Sequence, residues 1–384
     1  MGRPEPGLAL AGPAPSEGPL LPDYGGACLT GVVPALLALC EAPEREPPGF
    51  VPDPLHGARQ VVLLVVDGLG QEALAANHDV TPVLSSLAGG PITSVAPTTT
   101  ASALTSLTTG APPAAHGLLG YRMRLGDEVL NVLRWSTASG DARTSAPPSS
   151  LQPLPPFGGR AVPVVSRAEF AGTGFTEAHL RGARLVGWRV ASSLPVEVRS
   201  LLRAGERFVY AYYDGLDKVA HDVGLGEHFR AELAAVDRLV ADLLAVLPAG
   251  AVLAVTADHG QVHVPGEAIE LADEVAAAVH AMSGEGRFRW LHVRPGGVDD
   301  VVAACEACYG DVAWVRTRDE LVAAGIFGGP LGDDLAARLG DVALLARAPV
   351  AFRDPGDTGE LRLVARHGSL TPEELHVPFL AGRP

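Results

Sequence analysis

Six residues of this chain combine metal-ligand chemistry with suggestive placement: Asp67, Asp217, His221, Asp258, His259 and His367. Three carboxylates and three imidazoles make a mixed set of hard oxygen and borderline nitrogen donors, which suits zinc or manganese. Asp217 and His221 stand four apart in Asp-Lys-Val-Ala-His, so one helical turn or a compact loop would aim both at one ion. Asp258 and His259 are adjacent and would point oppositely on an extended strand. Both can bind metal only if the chain turns there, and Gly260 permits that turn. A further group is the hydroxyl run Thr98-Thr99-Thr100, which follows Pro97 and opens a stretch of helical character through Leu107. A helix N-terminus offers free N–H groups and the positive end of the dipole, which suits phosphate. The same threonines could equally act as N-caps. Taken singly each piece is weak: Asp-His-Gly arises by chance, and a lone histidine is more often structural than a ligand.

The elements around them add weight. Residues 60–70 read QVVLLVVDGLG, an apolar, β-branched run stopping at Asp67-Gly68, and are predicted as a buried parallel strand followed by a helix from Gln71 to about Asn77. Phe208 begins a second strand that ends in a polar loop at Asp214–Asp217, and Ala251 a third that ends at Asp258-His259-Gly260. Between these two, residues 227–247 carry Leu233, Val236, Leu239, Val240 and Leu243 at helical spacing. Strand, helix, strand in this order implies a right-handed crossover and a parallel sheet. The polar residues then sit at the C-terminal ends of three buried strands, where open α/β sheets bind ligands. One Asp-Gly after a strand is ordinary turn chemistry; three such ends rich in Asp and His argue for a site.

The rest of the chain bounds the reading. With 384 residues and 47% apolar content, the chain can bury a sizeable core and is not disordered throughout. A net charge of −15 argues against a nucleic-acid polymer or an anionic membrane surface as partner. It leaves room for a small anionic substrate, because bound dications can reverse the local field. Residues 1–57 form a Pro-rich segment expected to be largely irregular, with one short helix near Val33–Leu39. Residues 121–160 and 265–345 carry little motif content and are expected as cap insertions on a core spanning 58–384. Cys305 and Cys308 form a single C-x-x-C without the second pair that a zinc ribbon needs; with Cys28 and Cys40 they read as structural thiols. There is no leader-like charged and apolar N-terminus and no run long enough for a membrane span, so the default expectation is a cytoplasmic protein. Oligomeric state is not legible.

These pieces, in this order, resemble the alkaline phosphatase superfamily, and within it the nucleotide pyrophosphatase/phosphodiesterase branch. The resemblance rests on Asp67-Gly68, on Pro97-Thr98-Thr99-Thr100 with Gly110 ten residues after the last threonine, on Asp217-x-x-x-His221, on Asp258-His259-Gly260 and on His367-Gly368. His116-Gly117 fits as well. The resemblance covers residues 60–120, 205–265 and 360–380 and neither insertion. It implies a three-layer α/β/α sandwich around a mostly parallel sheet, with cap insertions. It also implies two divalent metal ions, zinc before manganese, and Thr100 as nucleophile. One ion would be held by Asp67, Thr100, Asp258 and His259, the other by Asp217, His221 and His367. The chain end from Arg366 to Leu380 is similar to that of metal-dependent phosphomutases of the same superfamily, which favours His367 over His376 as the last ligand.

The implied activity is hydrolysis of a small phosphorylated substrate, such as a nucleotide, through a phosphothreonine on Thr100. A phosphomonoesterase or phosphomutase is the alternative within the superfamily, and a non-catalytic binding protein on a degenerate phosphatase fold is the second. A sulfatase would need a Cys or Ser nucleophile segment that Thr98–Ala103 does not offer. One departure bears on substrate choice: where the resemblance implies a phosphate-binding Asn three residues after the nucleophile, position 103 is alanine. Some other group must then neutralise the phosphoryl oxygen. Lys218, the only lysine, and Tyr121 are the substrate-contact candidates, against surface and core roles respectively. His263 is a candidate to support the ligands. Arg134-Trp135 could stack on a base or sugar, although an interior Trp is the commoner reason for one.

Overall fold

The computed structural model describes residues 18–357, 359 and 362–384; residues 1–17 of the Pro-rich segment lie outside the described residues. The central sheet is built from β1 (Gln60–Val66), β2 (Ala88–Thr93), β3 (Pro163–Arg167), β4 (Arg184–Trp188), β5 (Phe208–Tyr213), β6 (Ala251–Thr256) and β7 (His376–Gly382). Its order is β2-β7-β6-β1-β5-β3-β4. From β6 to β4 all neighbours run parallel, while β7 is antiparallel to both β6 and β2.

Successive strand side chains point to opposite faces. Val61 to Val66 are all fully buried, as are Ala251 to Val255, so both faces of the sheet centre are covered. That is why these strands read as unbroken apolar runs rather than alternating ones. The fold is the expected α/β sandwich around a mostly parallel sheet.

Five helices matter for the site: α1 (Leu29–Glu41), α2 (Thr100–Thr109), α3 (Gly215–Val223), α4 (Glu227–Val246) and the short α5 (Pro372–Leu375). Helix α1 is longer than the sequence suggests, and its Leu29, Val32, Val33, Leu36, Leu39 and Cys40 are buried in the main core. It packs on α2 and β1. Gly110 makes that contact close: it caps α2 at φ 70°, and a Cβ there would meet Pro34 Cγ at 2.5 Å.

Two smaller sheets flank the ligand end. Residues 122–141 form a four-stranded antiparallel flap. Strands Val279–Glu285, Phe288–Val293, Val342–Ala346 and Ala313–Thr317 form a second four-stranded antiparallel sheet. The helix Val298–Tyr309 backs it, with its own core of Leu291, Val301, Cys305, Tyr309 and Leu344. Cys305 is therefore a core residue, and all four cysteines are free thiols. Among the described residues no helix is long and apolar enough to cross a membrane.

Candidate metal centre and its threonine

The three strands that end in acidic residues, β6, β1 and β5, are neighbours in the sheet. Their C-terminal ends therefore deliver Asp258-His259, Asp67 and the Asp217-bearing α3 to one place. Asp217 and His221 sit one turn apart on α3, with His221 Nε2 3.3 Å from Asp217 Oδ1. His259 Nε2 lies 3.5 Å from Asp67 Oδ1 and 3.4 Å from Asp258 Oδ2. The turn at Gly260 brings the chain so close to α5 and to Gly70 that a side chain would collide with the Glu373 carbonyl and the Gly70 Cα.

The ligand-type atoms fall into two overlapping groups, Asp67/Asp258/His259 and Asp217/His259/His367, each within 4.8 Å of one another. His367 stacks on His259 with ring centroids 3.6 Å apart, and its centroid is 5.3 Å from that of His221. His221 reaches the second group through Asp217. All six candidate ligands thus converge.

Each imidazole is held in the same way. Nδ1 of His221, His259 and His367 bonds the carbonyl oxygens of Ala365 (2.7 Å), Gly260 (3.1 Å) and Thr98 (2.8 Å). An N–H at Nδ1 leaves the Nε2 lone pair aimed at the carboxylates. Burial holds His259 and His367 below the usual imidazole range, so both are neutral donors near pH 7.

The carboxylates show the opposite strain. Burial, reinforced by the charges of Asp258 and Asp217, pushes Asp67 well above the usual carboxylate range. Burial also raises Asp258 and Asp217. Asp67 Oδ2 accepts from the Tyr212 hydroxyl, Asp217 Oδ1 from Gln261, and Asp258 Oδ1 from the N–H groups of Gly68 (3.2 Å) and His259 (3.0 Å). Asp67 Oδ1 and Asp258 Oδ2 are buried without a hydrogen-bond partner among the described residues. Buried carboxylate oxygens need a counter-charge. Three carboxylates with two orphaned oxygens, facing three imidazole lone pairs, fit a pair of divalent cations.

The three threonines part company. Thr98 is a clamp: its hydroxyl donates to Ser369 O (2.7 Å) and accepts from Gly368 N (3.0 Å), fixing the His367 loop. Thr99 stands at the cap position of α2 without a side-chain capping bond. Thr100 alone turns its hydroxyl into the cluster, 3.1 Å from His259 Nε2.

Two cavities open from Thr100. One, of about 340 Å³, is largely apolar, with Leu104, Leu133, Phe170, Phe175 and Tyr212 on its walls and Lys218 at its edge. Lys218 pairs with Asp214 at 2.5 Å, and Asp214 is also bonded by Arg167 at 2.7 Å, so the lysine neutralises a protein carboxylate. The other, of about 300 Å³, runs from Thr100, His221 and His367 to Tyr121, Asn131 and Arg134 of the flap. Tyr121 does line the site, its hydroxyl accepting from Asn131 Nδ2 at 2.6 Å.

Other sequence candidates do not contribute. Ala103 is fully buried and lines neither cavity. Trp135 is fully buried, its indole N–H bonding Ala146 O at 2.8 Å, which excludes it from stacking on a ligand. His263 is exposed and lines a separate polar cavity with Arg353 and Arg362; Gln261 is the residue that supports Asp217. His376 bonds Glu72 at 3.0 Å and is structural, as expected. His116 is buried in the core on Ser106. Gln261, Tyr212 and Asn131 were not singled out in the sequence. Gln261 had one available signal, its position directly after Asp-His-Gly; the other two had none.

A family model described as type I phosphodiesterase / nucleotide pyrophosphatase matches residues 61–193 and 199–370. No curated protein matches. Among solved structures, murine ectonucleotide pyrophosphatase/phosphodiesterase 5 superposes with a TM-score of 0.63 at 16% identity, over 85% of this chain and 88% of that one. An inactive threonine-to-alanine form of that protein, in complex with AMP, superposes with a TM-score of 0.61 at 15% identity, over 85% and 88%. Phosphonoacetate hydrolase from Sinorhizobium meliloti 1021, in complex with phosphonoformate, superposes with 0.61 at 20% identity over 87% and 90%. At these identities the likeness is one of fold.

Proposed function

The chain belongs to the type I phosphodiesterase / nucleotide pyrophosphatase family, and from that premise we propose that it hydrolyses phosphodiester or pyrophosphate bonds with Thr100 as nucleophile. Phosphoester hydrolysis is what the family and the fold neighbours support; the nucleophile, the ions and the substrate are the further steps. The observation that carries the reading is the single hydroxyl of the threonine run that faces the ligand cluster, Thr100 Oγ1 at 3.1 Å from His259 Nε2.

Two divalent cations, zinc before manganese, would be held by Asp67, Asp258 and His259 with Thr100, and by Asp217, His221 and His367. When bound they would supply Lewis acidity, favouring the ionised hydroxyl and offsetting charge on the leaving oxygen. The chain's own part is positioning. Thr100 opens α2, so the backbone N–H groups of that first turn and the helix dipole favour a negatively charged phosphoryl group beside its hydroxyl. Thr98 ties this turn to the His367 loop and keeps nucleophile and ligands in register. The Thr100 oxygen bonds phosphorus as the bond to the leaving oxygen breaks, and water then cleaves the phosphothreonine. The apolar cavity beside Thr100 would receive the organic group of the ester, which a nucleoside could supply.

Thr100→Ala should lower kcat/KM on a chromogenic phosphodiester by at least about a thousandfold, with unchanged metal content and melting temperature. Thr99→Ala should stay within about tenfold of the parent. Substantial turnover by the Thr100 variant, or a reversed ranking of the two, would sink the assignment.

A further inference from the structure

The apolar cavity beside Thr100 is not apolar throughout. It lies against one face of the central sheet. Tyr210 and Tyr212 share that face of β5, Val164 of β3 pairs with Tyr210, and Leu185 of β4 pairs with Val164. Tyr210, Tyr212 and Leu185 all line the cavity. It therefore runs from the metal-centre end of β5 about 7 Å back along the strand and about 10 Å across to the edge strand β4. The helix Gly174–His179 lines it as well, through Phe175, Thr176 and His179.

In this space the chain leaves hydrogen-bonding groups unused. Tyr210 is 1% exposed, and its hydroxyl is buried with no hydrogen-bond partner among the described residues. The next two tyrosines of β5 differ, since the hydroxyls of Tyr212 and Tyr213 donate to Asp67 and Glu232. His179 is buried and stacked on Phe175, and its Nδ1 bonds the Phe175 carbonyl oxygen at 2.6 Å. The lone pair is then at Nε2. Burial lowers the pKa of this ring to about 4, so it is a neutral acceptor near pH 7. Burying a hydroxyl without a partner is costly, and an orphan on a cavity wall gains its partner from whatever fills the cavity. The charged groups on that wall, Asp67, Asp217 and the Lys218–Asp214 pair, all follow the C-terminal ends of β1 and β5, which leaves the deeper part uncharged.

We propose that Tyr210 is the specificity-determining residue of this cavity, reading a neutral hydrogen-bonding group such as a hydroxyl or a carboxamide at the far end of the ester's organic arm, with His179 Nε2 as an acceptor in the same space. The proposal rests on the reading of Thr100 as the reacting centre. The arm is apolar along its length, where Leu104, Phe170 and Phe175 meet it, and polar but uncharged at its end. An arm charged at that end is disfavoured by the uncharged surroundings, and a pure hydrocarbon leaves the Tyr210 hydroxyl unpaired.

Binding, measured by calorimetry on metal-loaded protein, separates this inference from catalysis. The arms of para-hydroxybenzylphosphonate and para-methylbenzylphosphonate have one shape and differ in a single hydrogen-bonding group; para-(hydroxymethyl)benzylphosphonate and para-ethylbenzylphosphonate form a longer pair. The parent should prefer the hydroxyl-bearing arm by about tenfold in at least one pair. Tyr210→Phe should reduce that preference to within about twofold and leave the affinity for the hydrocarbon arms within about twofold of the parent. A parent without preference in either pair, a Tyr210→Phe protein that keeps it, or one whose affinity for both arms falls together overturns the proposal. Binding of none of the four phosphonates overturns the reading of Thr100 along with it. A protein that shows the preference yet hydrolyses no phosphate ester retains the subsite and loses the hydrolase reading.

Discussion

Arg287 and Glu374 form a two-pronged ion pair in the interior, Nε to Oε1 at 2.8 Å and Nη2 to Oε2 at 2.9 Å, with side-chain exposures of 1% and 0%. Arg287 lies between the first two strands of the second small sheet and spends Nη1 on the carbonyls of Ala348 and Val350. Glu374 belongs to α5, where its carboxylate also takes the Ser369 N–H (2.9 Å) and the Thr371 hydroxyl (2.8 Å), and its backbone carbonyl takes the Gly260 N–H (2.9 Å). One buried pair thus joins the second small sheet to both loops that carry His259 and His367.

Breaking this pair on one side leaves a buried charge uncompensated. Glu374→Gln should destabilise the fold by about 3–5 kcal/mol, read from denaturant midpoints. It should also weaken metal binding by about 10–100-fold, read by chelator competition. The double change Arg287→Met with Glu374→Leu removes both charges and should recover stability more than metal affinity, because the loops lose their tie to each other. Recovery of both in parallel would mean that the pair supports the fold alone.

Asp67, Asp217 and Asp258 crowd three buried carboxylates together, and Asp67 Oδ1 and Asp258 Oδ2 have no partner among the described residues. Their repulsion and desolvation weaken the metal-free protein. Chelation should therefore lower the melting temperature, and zinc or manganese at about 100 times its dissociation constant should restore about 2.7 kcal/mol. Asp258→Asn should be stabilised less by added metal than the parent. Equal melting curves with and without metal would contradict this account of the cluster.

The sheet centre was legible because its strands are buried on both faces, which leaves an unbroken apolar run in place of an ambiguous period. The convergence of Asp67, Asp217, His221, Asp258 and His259 was legible because β6, β1 and β5 are neighbours and each of these motifs follows one strand end. Helix α1 was underestimated: Pro34 interrupts its pattern, and its burial depends on contacts with α2 that are distant in sequence. Tyr212, Gln261 and Asn131 act through contacts between segments, which no spacing along one segment reveals. Position 103 raises a related point, since distance along a helix from Thr100 does not say which way a side chain points.

That last point can be tested directly. Ala103 is fully enclosed in the core of α2. Ala103→Asn adds volume and a polar amide where nothing is built to receive it, and should destabilise by about 1–3 kcal/mol. The ratio of diester to monoester turnover should stay within about twofold of the parent, because the residue lines neither cavity. A stable variant with a marked gain in diester preference would place position 103 at the site after all.

His116 gives the fold a dependence on acid. It is fully buried; Nδ1 accepts the Leu118 N–H at 3.1 Å, so Nε2 carries the proton and donates to Ser106 Oγ at 2.8 Å. Burial pushes its pKa down to about 3. The unfolded chain would take up the proton near pH 6.5, the folded one only near 3. A histidine held neutral in this way contributes stability that is fully present above pH 6.5 and is lost as pH falls toward 3, by about 1.4 kcal/mol per unit. His179, stacked on Phe175 and lowered to about 4, should add in the same direction. Urea unfolding between pH 7.5 and 5 should therefore show falling stability. His116→Gln should be less stable at pH 7.5 yet show a shallower slope below pH 6.5, by about one proton's worth. An unchanged slope in that variant would show that His116 is not the group being titrated.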